Sequence, residues 1–349
     1  MTLILSAMSA QAAPAAQPRT IQLSIGGGPV DSAAFRWSSA LAEALSRPPG
    51  LPDCDPTAPC GVPGVVAGAQ TYDNSKALLS ALIDGKVATA VIPAIPLMRA
   101  RCDVPKGQAA PAVSILKILY RHPLYLLVHG GTPVIAKPTD WIGKTIVIGP
   151  AGSDSETIAL ALLDAYRVPK SKVKLQRLAP QAAFAALRDG SAAAGIFMGH
   201  VFDVPVGDFV SHGFSLMSLP ETPERTRLLQ MLPSLEASAI PPGAYPGLPA
   251  ISTVAQPVVW AAGPGLDAAL QERLIAAISE VHNQARIADL VDPVLPVPDG
   301  EAFLRLPAPP SDGAKQFAAS KHLTAEMIAC PIVAGSAAES TPPKAKSTR

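Results

Sequence analysis

The alternation running from Lys144 to Met198 constrains this chain more than any other feature. Short apolar or β-branched runs at 144–148, 172–176 and 193–198 are separated by helical periodicities at 154–166 and 180–188. Strands spaced by helices cannot pair as tight hairpins, so they call for a parallel sheet with helices on both faces, an α/β fold. The sharpest unit is Lys144–Tyr166, KTIVIGPAGSDSETIALALLDAY. Thr145–Ile148 suits a buried parallel strand, and Gly149, Pro150, Ala151 and Gly152 punctuate a turn. Ser153 with Glu156 three residues on has the spacing of a capping box, so a helix starts there. The free N–H groups and positive dipole end at Ser153–Ser155 favour an anion. A well-capped βα connection without a ligand accounts for the same residues.

Two further strand–helix units precede it. Thr20–Ile25 alternates as a strand, Gly26-Gly27-Gly28 breaks it, and a helix follows from about Ser32 to Leu45. The three glycines serve either a tight turn or close approach of backbone to a solute. Arg47–Gly64 is a Pro- and Cys-containing loop, too long for a plain connector. Val65–Thr71 is a strand, Asn74 or Ser75 caps a helix that Gly85 ends, and Val87–Ile95 reads as a buried strand. Val113–Tyr120 and Leu124–Val128 are strand material around Arg121-His122-Pro123, a pair facing a cleft or simply solvated beside a proline. Later, Pro220–Leu232 holds a short helix, Pro257–Ala261 a strand, Leu266–Leu290 one long amphipathic helix and Ala314–Cys330 a last helix.

The 349 residues suffice for two domains, and a net charge of +1 with 16% charged residues excludes a basic nucleic-acid footprint. Residues 1–12 are apolar and small, with Ala10-Gln11-Ala12 fitting a cleavage site, so 1–19 reads as an export signal and leader although a basic start is missing. No later run reaches the 18 or so apolar residues of a membrane span. The four cysteines, Cys54, Cys60, Cys102 and Cys330, suit an oxidising compartment. Cys54 and Cys60 flank a short loop and are placed to bridge, but three pairings stay open. Residues 331–349 are polar and small and read as a disordered tail. Catalysis needs a nucleophile with its base, a carboxylate pair or a metal cluster. None has a recognisable signature here: the six histidines form no metal-binding spacing, and Gly152-Ser153 lacks the lysine of a phosphate loop. The chain therefore leans toward binding without a cofactor.

Four stretches, in order, carry a family resemblance: SIGGGPVDSAAFRWSSALAEAL, ALLSALIDGKVATAV, GPAGSDSET and AIPPGAYPGLPAISTVAQPVVWAA. They resemble the TAXI-type solute receptors of TRAP transporters. The resemblance implies a two-lobed, periplasmic-binding-protein-like fold of type II, each lobe a mainly parallel sheet flanked by helices, joined by two crossovers. Residues 20–126 with 258–330 would form lobe 1, and 127–257 lobe 2. It implies a periplasmic receptor that closes on a small solute and docks on the membrane permease. Carried onto this sequence, the ligand contacts are Gly28, Ser32, Phe35, Asn74, Ser75, Gly152, Ser153, Asp154, Ser155, His200 and Tyr245. Tyr245 borders the cleft or is a buried anchor; His200 touches ligand or bonds its own loop. Leu78, Pro93 and His200 replace residues customary in the family, and Asp154 replaces a glycine in the carboxylate-facing turn. Arg36, Arg121 or His200 would have to offset that charge, and the ligand expected is a small anionic or zwitterionic metabolite. The alternatives are an ABC-type receptor, a sensor-linked receptor, or an enzyme on the same fold.

Overall fold

The structure is a computed structural model and describes residues 20–130, 135–199 and 204–331. The expected leader, most of the expected tail and His200 lie outside those residues. The elements run β1 (Ile21–Gly27), α1 (Ala33–Leu45), β2 (Ser46–Arg47), β3 (Val62–Pro63), β4 (Val65–Thr71), α2 (Ser75–Ile83), β5 (Thr89–Pro93), α3 (Ala94–Cys102) and β6 (Ser114–His129). They continue with β7 (Thr145–Val147), α4 (Asp154–Ala165), β8 (Lys174–Gln176), α5 (Pro180–Arg188), β9 (Ala194–Met198), α6 (Val204–Ser211), β10 (Phe214–Leu216), α7 (Pro223–Met231) and β11 (Glu236–Ile240). Last come β12 (Ile251–Ala262), α8 (Ala268–Ile278), α9 (Val281–Leu290) and α10 (Asp312–Ser320).

The sheet path is β4-β1-β5-β12-β6-β9-β7-β8, and β6 and β12 are the strands shared by its two halves. In the first half β4, β1 and β5 are mutually parallel, and β12 runs against both β5 and β6. In the second half β8, β7 and β9 are parallel, with β6 antiparallel to β9. This is the α/β architecture of type II binding proteins: two mainly parallel halves joined through two long crossover strands.

Side-chain alternation along the shared strands builds four separate cores. On β12, Val258, Trp260 and Ala262 join α1, α8 and α10 on one face, while Val259 and Ala261 join α2 and Leu97 of α3 on the other. On β6, Leu124, Leu126 and Val128 pack with α4 and Leu228 of α7, whereas Tyr125 and Leu127 pack with α5 and α6. Each half-sheet is therefore covered on both faces, which is why its strands read as nearly continuous apolar runs.

Several elements depart from the sequence expectations. Arg121-His122-Pro123 does not separate two strands, because β6 is continuous for 16 residues. Pro123 falls where β6 changes partner: Pro123 is opposite Ala255 of β12, and Leu124 is opposite Met198 of β9. The strand expected to reach Ile95 ends at Pro93, and α3 begins at Ala94. Pro96 is tolerated there because it occupies the first turn, where N–H groups are free anyway. The expected helix 266–290 is two helices. The Glu280 carboxylate accepts the amide protons of His282 at 2.9 Å and Asn283 at 3.2 Å and so starts α9 afresh. Asn283 is buried at that joint and holds both the amide and carbonyl of Cys60. The last helix stops at Ser320; beyond it Met327 bridges to Leu306. Helix α6 and strands β10 and β11 have no counterpart in the sequence reading. The disulfides pair Cys54 with Cys60 and Cys102 with Cys330.

Candidate functional site

Strand register fixes where a site can form. Strand β5 runs toward the crossover and ends at Pro93, opposite Val258. Strand β9 runs toward it from the other side and ends at Met198, opposite Leu124. The parallel neighbours follow suit, so the carboxyl ends of both strand sets confront each other across the crossover. Helices α1, α2 and α3 start at one edge, and α4, α5 and α6 at the other. Ligands of open α/β sheets gather at such edges.

At the first edge Ser32 caps α1, its hydroxyl accepting the Phe35 amide proton at 3.2 Å. Asn74, not Ser75, caps α2 by accepting the Ala77 amide proton at 2.9 Å; Ser75 is the first helical residue. The Gly28 carbonyl accepts the Thr71 hydroxyl at 2.9 Å, which ties these two loops together. The glycines are needed for packing: a Cβ on Gly27 would lie 2.7 Å from the Phe35 Cα, and one on Gly28 would lie 2.6 Å from the Ser32 Oγ.

At the second edge Ser153 caps α4 through the Glu156 amide at 3.2 Å. The return arm of the expected capping box is shifted by one residue. The Glu156 carboxylate takes the Gly152 amide proton at 2.6 Å and pairs with Arg177 at 2.5 Å. Gly149 has φ +80°, and a side chain there would meet Ser155 Cβ at 2.9 Å, so Ser155 packs over the turn.

One residue joins the two edges. Gln256 lies on β12 at the crossover and is fully buried. Its amide nitrogen donates to Asp154 Oδ2 at 2.9 Å, at the first residue of α4. Its amide oxygen accepts the Ile95 amide proton at 3.4 Å, in the first turn of α3. Burial pushes the Asp154 carboxyl up to about 6, against the lowering effects of Gln256 and of Arg99. Asp154 is therefore a poorly solvated acid among helix N-termini, with a neutral amide as its hydrogen-bond partner.

The cations expected to offset it are committed elsewhere. Arg121 is bonded to Glu236, to Glu301 at 2.5 Å and to the Pro296 carbonyl at 3.0 Å. Arg36 pairs with Asp292. Tyr245 is 3% exposed, and its hydroxyl donates to Tyr125 at 3.1 Å within the second half's core. Its placement is that of a buried anchor rather than a residue bordering the cleft. Among the described residues, no three His, Cys, Asp or Glu side chains converge to hold a metal, and no helix is long and apolar enough to cross a membrane.

The model of the NMT1-like family matches residues 106–318, well over half of the chain. The chain belongs to the NMT1-like family. Solved structures of like fold include the periplasmic aliphatic sulphonate binding protein SsuA of Escherichia coli. It is 14% identical, with 77% of this chain and 78% of that one covered and a TM-score of 0.44. A probable amino-acid ABC transporter extracellular-binding protein of Bacillus subtilis, YtmK, is 14% identical over 78% of this chain and 96% of its own, with a TM-score of 0.46. A putative L-cystine ABC transporter protein of Listeria monocytogenes is 14% identical over 77% and 93%, with a TM-score of 0.44.

In this NMT1-like chain the sequence-predicted residues thus fall into two clusters. Gly28, Ser32, Phe35, Asn74 and Ser75 lie at one edge, and Gly152, Ser153, Asp154 and Ser155 at the other. The residue sequence reasoning missed is Gln256. The only signal was a lone glutamine within the apolar strand STVAQPVVWAA.

Proposed function

We propose that the chain is an extracytoplasmic solute-binding protein, whose two halves, 20–126 with 258–330 and 127–257, close on a small molecule. The observation that supports this best is the Gln256 bridge between helix starts of opposite halves, at a junction crossed, among the described residues, by two strands. A chain so built can hinge there, and a solute that contacts both edges favours the closed form by its differential affinity for it. The ligand contacts proposed are Gly28, Ser32, Phe35, Asn74 and Ser75 with Gly152, Ser153, Asp154 and Ser155. Because Arg36 and Arg121 are already paired and Asp154 is a poorly solvated acid, a zwitterion fits better than a pure anion. Its ammonium would meet Asp154 and its carboxylate the amide protons of the helix starts.

The closed receptor would then deliver its solute to a membrane transporter. The ABC type is the reading taken first, since the transporters named for the three structures above are of that type where a type is given. The TRAP type rests on the four sequence stretches alone. The type of the neighbouring permease gene tests the choice.

Calorimetry on the purified chain against amino acids and dicarboxylates, with small-angle scattering on each binder, tests the function. Saturable binding of an amino acid with a fall in radius of gyration is expected. Dicarboxylates binding while amino acids do not would overturn the zwitterion. Binding without contraction would overturn the hinge.

A further inference from the structure

A second site lies in the first half, away from the crossover edges. A cavity of about 540 Å³ opens between α1, β6, α9 and the segment 291–299, within the usual size of small-molecule pockets. Its wall is mostly aliphatic: Leu41, Ile118, Ile287, Val294 and Val297 with the Trp37 ring, which stacks on Tyr120 at 5.1 Å. One of its lining groups is a donor without an adequate acceptor. The Lys117 side chain is only 12% exposed; its ammonium donates to the neutral Ser279 hydroxyl at 3.1 Å. The nearest carboxylate, Asp299, stands off at 3.8 Å and is 80% exposed, too solvated to compensate a desolvated cation well. Burial lowers the Lys117 ammonium below its ordinary value. The lining residue Asp292 is already paired with Arg36.

An ammonium with spare donor capacity, set in an apolar wall, asks for an acceptor on an apolar body. We propose that this cavity binds an amphipathic carboxylate, such as a medium-chain fatty acid, with its head on Lys117 and its chain against the Trp37 ring and α9. The site does not depend on the solute cleft, so either can fail without the other.

Titration calorimetry of the full chain with decanoate, decanol and decylamine, all below their micelle concentrations, tests it. Decanoate is expected to bind saturably, and at least fivefold more tightly than decanol or decylamine. Lys117→Met keeps the stem and removes the charge; it should weaken decanoate at least fivefold. Ala288→Trp, on the exposed rim, should block the cavity. Equal affinity for the three head groups overturns the proposal even if every variant misfolds. So does undiminished decanoate binding in folded Lys117→Met or Ala288→Trp.

Discussion

Asp154 is held in opposition to its own solvation. Its position at the start of α4 favours a negative charge, yet burial wins and raises the carboxyl from 3.8 to about 6. Between those two values the folded chain keeps a proton that the unfolded chain has released. The stabilising contribution of this group is therefore full below about pH 4 and is lost as pH rises through about 6. Asp154→Asn removes that dependence while its side-chain oxygen can still accept from Gln256. It should gain about 1–2 kcal/mol at pH 7, allowing for partial solvent screening, and nothing at pH 4. Urea midpoints of both proteins across that range measure it, and a gain that does not vary with pH would refute the assignment. Gln256→Leu should cost about 1–3 kcal/mol, because it strips partners from the Asp154 carboxylate and the Ile95 amide. Combined with Asp154→Asn, it should cost less than the sum of the two single effects, because a neutral amide left without the Gln256 donor is less costly than a buried carboxylate left without it. Local signals made the caps Ser32 and Ser153 legible, since each bonds a residue three positions on. Gln256 was opaque because its partners lie 102 and 161 positions away.

Turn geometry decides how α4 meets its strand. Gly149 is held at φ +80°, with the Ser155 Cβ 2.9 Å from where its own side chain would be. Gly149→Ala combines a left-handed backbone with a clash that only a shift of the α4 start can relieve. A loss of about 1–3 kcal/mol is expected. Gly190→Ala is the control, with φ +77° but nothing within 4 Å of the added carbon, and should cost less. Chemical denaturation compares them; equal losses would mean that crowding by Ser155 contributes nothing. The βα units from 144 to 198 were readable because their periodicity and punctuation agree. The break at Glu280 was not, because Leu270 and Leu274 before it and Ile287 after it all face one core. A single amphipathic stripe runs through the joint, and only the carboxylate's bonds to two backbone amides reveal the new start. Nor was α3, where a strand-like run continues into a helix whose defining contact is the distant Gln256.

At the scale of the molecule, the C-terminal segment closes the first half over a very long chain loop. Cys330 is tied to Cys102 at the end of α3, 228 positions earlier, whereas Cys54 and Cys60 are 6 apart. The segment between α10 and Cys330 is also fastened by the Leu306–Met327 bridge and by Arg101 on the Ile328 carbonyl. The sequence left the pairing open, because apposing Cys102 and Cys330 depends on the fold of everything between them. Cross-links restrict the unfolded chain more as the loop grows, so the two bonds should differ in worth: about 5 kcal/mol for the long loop and about 2 kcal/mol for the short one on the chain-entropy account. Cys102→Ser with Cys330→Ser should therefore lower the denaturation midpoint more than Cys54→Ser with Cys60→Ser. The fasteners just before Cys330 oppose this by keeping the segment docked when the bond is gone, and they set a testable limit. If the native contacts alone hold the segment, proteolysis after Ser320 will be no faster in the long-loop variant under native conditions, and the loss will appear only as a change in the unfolded state. Equal midpoints for the two double variants would show that the long cross-link stores no more chain entropy than the short one, and that residual structure already confines the unfolded C-terminal segment.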